Sequence, residues 1–184
     1  MSMSVQVIST KNELFKSVCF LRSRYIGDNP ANEEFFDDAE AVRDTCSYHL
    51  VYMDGERVVG AIRITPLGHG MSFVERRVNI DHHFPDLMES FDANRLVLDE
   101  KYRGGPHLRF FLLETAIWLK ANTSFRYISA LCRGRLVALY VDIGGVVLAD
   151  DITWESRQST RDYSLIYLEI DTVFNTIKGK ISNG

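Results

Sequence analysis

The stretch RLVLDEKYRGGPH, residues 95–107, decides how the rest of the chain is read. Residues 93–99, Ala-Asn-Arg-Leu-Val-Leu-Asp, read as a strand. The run Tyr102-Arg103-Gly104-Gly105-Pro106 follows as a turn. Residues 107–121 then read as a helix. It carries Leu108, Phe110, Phe111, Leu112, Leu113, Ile117 and Trp118 on nearly all faces, so it is expected to be central and covered. A glycine-rich turn between a strand and a helix start offers unsatisfied backbone N–H groups to an anion, and Arg103 adds a charge-assisted contact. Many such turns bind nothing, so this one alone fixes no ligand.

Upstream, residues 48–53 read as a strand, Asp54-Gly55 as a hairpin turn and residues 57–65 as the returning strand, ended by Pro66. Residues 11–26 place Leu14, Val18, Leu21 and Tyr25 at helical spacing. Residues 31–44 hold Glu33, Glu34, Asp37, Asp38, Glu40 and Asp44 against Arg43, which reads by default as a solvated loop or short helix. Residues 68–90 are mixed. Downstream come a strand at 125–132, a short helix at 135–143 stopped by Gly144-Gly145, and strands at 146–149 and 163–170 joined by a polar run. Residues 179–184 are expected to fray. The order predicts an α/β (α+β) fold. A single domain over 1–184 would build a mixed, twisted sheet with helices on both faces.

The composition sets limits. A chain of 184 residues, 46% hydrophobic, makes one domain. No run reaches the ~18 apolar residues of a membrane span, and residues 1–10 do not form a secretory signal. A net charge of −4 argues against nucleic acid as the main partner. The three cysteines, Cys19, Cys46 and Cys132, are odd in number and widely spaced, which points to a reducing cytoplasm. His82-His83 beside Asp81 and Asp86 lacks further spaced ligands, so no metal is expected.

A second stretch, Ala138-Leu-Tyr-Val-Asp-Ile-Gly-Gly145, lies one strand after the first. Together the two resemble the GNAT superfamily of acyltransferases. Residues 98–104 are similar to its "V-x-P-x-Y-R-G" strand end, and residues 135–145 to its "A-x-x-L-Y-x-x-x-G-F" helix. The hairpin with Val58-Val59-Gly60 also fits, and the resemblance covers most of residues 45–150. It implies splayed central parallel strands that admit the pantetheine arm of an acyl thioester. It implies a backbone N–H near Leu98 that polarises the thioester carbonyl, and Tyr140 as the acid that protonates the leaving sulfur. The superfamily's pyrophosphate loop, Arg/Gln-x-x-Gly-x-Gly/Ala, falls on Arg103, Pro106 and Leu108. Both small residues are lost, and Pro106 has no N–H to give. The donor contacts implied are Leu98, Arg103, Gly104, Gly105, His107 and Arg109. Weakened use of coenzyme A makes an acyl chain on acyl carrier protein the competing donor, with Arg103, Arg109, Arg133 and Arg135 as its docking patch.

That departure is similar to the acyl-homoserine lactone (autoinducer) synthases and related N-acyl amino acid synthases. Arg22 or Arg24 with Tyr25, Asp44 before the strand 47–51, Gly60-Ala-Ile-Arg63-Ile-Thr-Pro66 and Asp92-x-x-Arg95 follow their patterns in order. Their N-terminal tryptophan is missing, so simple N-acylation is expected rather than lactone synthesis from S-adenosylmethionine. The resemblance implies acceptor contacts at Arg22, Asp44, Arg63 and Arg95. Arg63 shares a strand face with Val59 and Ala61 and needs a partner there. Two readings stay open: an ion pair with Asp92, Asp99 or Glu100, or a clamp for the carboxylate of an amino-acid-like acceptor. Asp92 or Glu100 is the expected base for the incoming ammonium. Residues 1–44 are expected to cover the acceptor side of a core at about 45–170.

Overall fold

A computed structural model describes residues 2–27, 39–80, 82–103, 105–155 and 160–182. Its contacts divide into two compact units: Met1–Thr65 with Ala93–Phe111, and Pro66–Asp92 with Leu112–Gly184.

The first unit opens with β1 (Met3–Ile8), α1 (Phe15–Arg22) and a π-helical turn, Ser23–Gly27. Then come α2 (Glu40–Thr45), β2 (Tyr48–Asp54) and β3 (Arg57–Pro66). The later part of β4 (Ser90–Leu98), a 3₁₀ turn at Glu100–Tyr102 and the start of α3 (Gly105–Asn122) complete it. β1 pairs antiparallel with β2, from Met3 opposite Asp54 to Ile8 opposite His49, and β2 pairs antiparallel with β3. The Asp54-Gly55 hairpin forms as expected, with Gly55 at φ +60°. β2 and β3 are buried along almost their whole length, so apolar side chains occupy both faces, with His49, Arg63 and Thr65 as the buried polar exceptions. α1 lays Val18 and Leu21 against Ile8, Val51, Met53, Val58, Ala61 and Val97. Each such aliphatic contributes roughly 1.5–3 kcal/mol on full burial. Gly60 is required where β3 passes β4: a Cβ there would lie 2.5 Å from Leu98 Cδ2 and 3.2 Å from the Val97 carbonyl.

In the second unit β5 (Tyr127–Cys132) runs parallel to Ser90–Asp92 of β4 and antiparallel to β7 (Thr160–Glu169). β6 (Val146–Glu155) pairs antiparallel with β7, and α4 (Arg135–Asp142) and α5 (Ile170–Ser182) flank them in sequence. Leu67, Val74, Ile80, Phe84 and Leu165 form a core cluster of this unit. Counted through both units, the strands form a seven-stranded mixed sheet of order β1-β2-β3-β4-β5-β7-β6. With the helices this is the expected α/β architecture.

Several boundaries differ from the sequence reading. β1 is not among the expected strands: only Ile8 of its residues is fully buried, so it carries no apolar pattern. The first helix is shorter than 11–26 and ends in the π-helical turn. β4 begins at Ser90 rather than 93. β6 continues through the polar residues after 149, with Asp151 at φ +58° where its pairing with β7 shifts register. The tail is largely helical: Ile170, Val173 and Ile177 of α5 are buried on one face. Among the described residues no helix is long and apolar enough to cross a membrane.

Candidate functional site

The first unit contains a buried network of ionic side chains. β3 carries Arg63, 1% exposed and opposite His49 of β2. Its partners are not Asp92, Asp99 or Glu100. They come from α2: Arg63 Nη1 donates to Glu40 Oε1 at 2.9 Å and to Asp44 Oδ1 at 2.7 Å, while its Nε donates to Asn94 Oδ1 at 2.6 Å. Arg95 reaches the same Glu40 Oε1 through Nε at 2.9 Å. It does so from a left-handed backbone position in β4, φ +54°, which turns the side chain away from the regular strand direction. Arg43 donates to Glu40 Oε2 at 2.6 Å, and Arg22 Nη1 at the end of α1 donates to Asp44 Oδ1 at 2.9 Å.

His49 of β2 completes the network. Arg22 Nη2 lies 3.0 Å from its Nδ1, and its Nε2 lies 2.8 Å from the Asp44 carbonyl. Arginine has only donors, so Nδ1 accepts and Nε2 carries the proton. Burial, reinforced by the charges of Arg22 and Arg63, lowers the imidazole to about 4, so the ring is neutral at pH 7. Burial also lowers Arg95 to about 10, against the pull of Glu40. It raises the Asp44 carboxyl, but Arg22 and Arg63 outweigh it and the net shift is downward. Arg22 Nε is buried and has no hydrogen-bond partner among the described residues.

The turn after β4 is held by its own side chains. Arg103 Nε donates to the Leu98 carbonyl at 3.0 Å, and Asp99 pairs with Arg57 at 2.7 Å. Glu100 is exposed in the 3₁₀ turn, whose Tyr102 is buried. Gly105 starts α3, and Pro106 sits in its first turn, where a missing N–H costs no helical bond. His107 Nδ1 lies 3.0 Å from the buried Tyr52 hydroxyl, and Arg109 is exposed. Gly104 lies outside the described residues, as does the side chain of Arg135.

In the second unit Tyr140 of α4 is 5% exposed. Burial raises its hydroxyl well above the ordinary value, and Cys132 and Asp92 push it the same way. Burial takes the Cys132 thiol up to about 12. Both groups are therefore protonated at neutral pH. Asp92 is buried and stands opposite Ser129 in the parallel register. The chain leaves α4 tightly: Gly145 N–H donates to the Tyr140 carbonyl at 2.8 Å, and a Cβ on Gly145 would lie 2.7 Å from that oxygen. Among the described residues no group of three His, Cys, Asp or Glu side chains is arranged to hold a metal ion. Asp81 lies outside them.

No protein-family model matches the sequence, and no curated protein does. Solved structures do match. The CoA-dependent acyl-homoserine lactone synthase BjaI, with SAM and isopentyl-CoA, superposes at TM-score 0.67 and 17% identity, covering 98% of this chain and 90% of that one. The CoA-dependent acyl-homoserine lactone synthase MesI gives 0.64 at 16% identity, covering 96% and 94%. An acetyltransferase of the GNAT family from Streptococcus pneumoniae gives 0.59 at 16% identity, covering 91% and 99%. The chain has the GNAT fold.

Within this GNAT fold, Arg22, Asp44, Arg63 and Arg95, named from separate stretches of sequence, are joined in one network of the first unit. Leu98, Glu100, Arg103, Gly105, His107 and Arg109 lie along its strand–turn–helix segment, and Asp92 and Tyr140 belong to the second unit. The sequence reading missed Glu40, Arg43, His49 and Asn94. Glu40 was hidden in the acidic run: it and Asp44 are not solvated charges, their side chains being 14% exposed. Arg43 and His49 carried no signal beyond being polar residues beside an apolar strand.

Proposed function

We propose that the protein is an N-acyltransferase that moves an acyl group from a pantetheine thioester to the amine of a small amino-acid-like acceptor. We read the whole chain as one acyltransferase domain, with residues 1–44 on the acceptor side. The observation that carries this reading is the buried network of Arg22, Asp44, Arg63 and Arg95 in a chain with the GNAT fold. Arg63 spends its donors on Glu40, Asp44 and Asn94, so it acts by holding these groups. Arg22, with an orphan buried Nε, is the member with a donor to give to an acceptor carboxylate. A buried donor left unpaired costs about 1–3 kcal/mol, which a bound carboxylate recovers. Acyl-CoA is favoured over acyl carrier protein as donor, because two similar structures are described as CoA-dependent.

In the reaction the acceptor must lose a proton, which Asp92 or Glu100 takes. The amine nitrogen attacks the thioester carbonyl, and the N–H near Leu98 stabilises the oxyanion. Collapse breaks the C–S bond, Tyr140, held protonated, gives its proton to the departing sulfur, and the second proton lost from the new amide nitrogen restores the tyrosine, directly or through water. Gly104, Gly105, His107, Arg103 and Arg109 complete the donor side.

The test is a panel of acyl-CoA and acyl carrier protein donors with mixed amines, read by mass spectrometry for amide product. Tyr140→Phe is expected to lower kcat on the order of a hundredfold with little change in KM. No product from any pair, or an unchanged rate in Tyr140→Phe, removes the catalytic assignment. A second reading, a module that binds the thioester without turnover, is favoured by Pro106 and Leu108 alone. Saturable donor binding with no thiol release would select it.

A further inference from the structure

The second unit holds a cavity of about 280 Å³ that shares no residue with the ionic network, the turn after β4 or Tyr140. Its walls come from the last turn of α3, the connection to β5, and the junction of β7 with α5. That volume lies at the lower end for ligand pockets and suits a small metabolite rather than a nucleotide. Backbone bonds fix the connection. Ile170 N–H donates to the Arg126 carbonyl at 2.9 Å, and the N–H groups of Arg126 and Tyr127 share the Glu89 carbonyl at 2.8 and 3.2 Å. Thr123 Oγ1 donates to the Leu119 carbonyl at 2.8 Å and accepts the Phe125 N–H at 3.3 Å. A ligand therefore meets a chain that is already ordered.

The charged side chains around the cavity differ in how far they are satisfied. Lys120 and Asp171 pair with each other. Glu169 has no basic side chain within ion-pair distance among the described residues. Its Oε1 accepts from the Tyr167 hydroxyl at 3.2 Å. Burial, with the Glu169 charge beside it, pushes that hydroxyl up to about 12, so it stays a donor at neutral pH. The carboxylate is thus oriented but not neutralised. Arg126 is 66% exposed and meets Glu89 at 3.5 Å, a surface pair that holds its partners weakly. Tyr127 stands opposite Glu169 in the β5–β7 pairing, so Arg126, one residue earlier, sets a cation beside that anion. The Tyr127 ring stacks on Tyr167 at 5.9 Å and gives the cavity an apolar wall, which Phe125 extends.

A free amino acid carries the complementary set: an ammonium and a carboxylate on one carbon, with a side chain beyond them. We propose that this cavity binds a free α-amino acid with an apolar side chain. Glu169 takes the ammonium, Arg126 exchanges Glu89 for the ligand carboxylate, and Tyr127 with Phe125 covers the side chain. The site differs in all its residues from the acceptor network and does not rest on the acyl-transfer reading.

The experiment is an NMR titration of the isotope-labelled full chain with L-leucine, N-acetyl-L-leucine and L-leucinamide, without any acyl donor. Slightly acidic buffer keeps both free amines protonated. Leucine is expected to shift the backbone amides of residues 123–127 and 169–171 saturably. N-acetyl-leucine lacks the ammonium and leucinamide lacks the carboxylate. Each is expected to bind about tenfold more weakly, the loss of one charge-assisted contact. Glu169→Gln should remove the advantage of leucine over N-acetyl-leucine, and Arg126→Gln its advantage over leucinamide. Both side chains are exposed, so the spectra should otherwise match the wild type. No saturable shift at those amides, shifts confined to the neighbours of Arg22 and Arg63, or an unchanged preference in either variant would overturn the proposal. Acyl transfer is assayed separately, and its failure leaves the titration result standing.

Discussion

Acidification should unlock the ionic network at His49. The ring is fully buried, and its Nδ1 accepts from Arg22 while its Nε2–H donates to the Asp44 carbonyl. Protonation would put a second N–H against the Arg22 guanidinium and bury another positive charge. The imidazole is accordingly lowered from 6.5 to about 4. A group whose folded value is depressed binds its proton more readily in the unfolded chain. Its contribution is complete above pH 6.5 and is lost as pH falls from 6.5 to 4. Each tenfold loss of proton affinity on folding corresponds to about 1.4 kcal/mol, so the full loss is roughly 3 kcal/mol.

The assay is urea unfolding at a series of pH values from 8 down to 4, for wild type and His49→Gln. The wild type should show a slope approaching about 1.4 kcal/mol per pH unit from this group. His49→Gln should start lower at pH 7, by about 1–3 kcal/mol for a lost buried hydrogen bond. Its stability should then fall less over the same window. The two curves converge near pH 4. Asp44 does not confound the comparison, because its depressed carboxyl loses its contribution only below about pH 4. Parallel pH curves for the two proteins, or an imidazole of His49 titrating near 6.5 by NMR in the folded state, would refute the reasoning.

Glu40→Gln removes the charge that receives Arg43, Arg63 and Arg95, and should destabilise by about 3 kcal/mol in urea unfolding. A cost under about 1 kcal/mol would mean that water already screens the network. Gly60→Ala pushes a methyl toward Leu98 and the Val97 carbonyl and should cost about 1–3 kcal/mol, with chemical-shift changes centred on residues 97–98. Changes confined to the 54–56 hairpin would contradict that. Arg22→Lys keeps the charge but not the planar fork, so the acceptor KM should rise about tenfold with donor KM unchanged in initial-rate kinetics. An equal rise in both would point to a general loss of structure.

What the sequence disclosed depended on whether a residue's role is local. Residues 95–107 read correctly as strand, turn and helix because β-propensity, glycine and an apolar run each act over a few residues. The hairpin at Asp54-Gly55 was legible for the same reason. β1 was not, since it is anchored by pairing with β2 and needs no apolar pattern. α5 was legible in principle: Ile170, Val173 and Ile177 stand at helical spacing, but the strand before it masked the change of period. In the site, Arg63 stood out as a charge on an apolar strand face, while Arg22 and Arg95 were named only through the resemblance. Glu40, the carboxylate of Arg63 and Arg95, did not stand out, because an acidic run reads as solvent-exposed until a distant arginine is placed beside it. The pairing of residue 40 with residues 63 and 95 is a product of the fold and leaves no trace in either segment alone.

The network is a poor device for stability alone. Removing paired charges from water costs several kcal/mol per ion, and well-packed apolar residues often serve a core as well or better. Here the arrangement also requires Arg95 in a left-handed conformation, of order 1–3 kcal/mol for a residue with a side chain. What it provides is a fixed set of directions. Glu40 and Asp44 are each tied to two or more arginines, His49 holds Arg22 from the other side, and Arg22 keeps one donor unspent. On the proposed reading, a charged acceptor would meet dipoles already oriented there, so little of its binding energy would go into ordering the protein. The Tyr25 ring applies the same logic with less burial: it immobilises Arg103 without neutralising it. One segment, residues 22–25, thus reaches the buried network through Arg22 and the Glu100–Tyr102 turn through Tyr25.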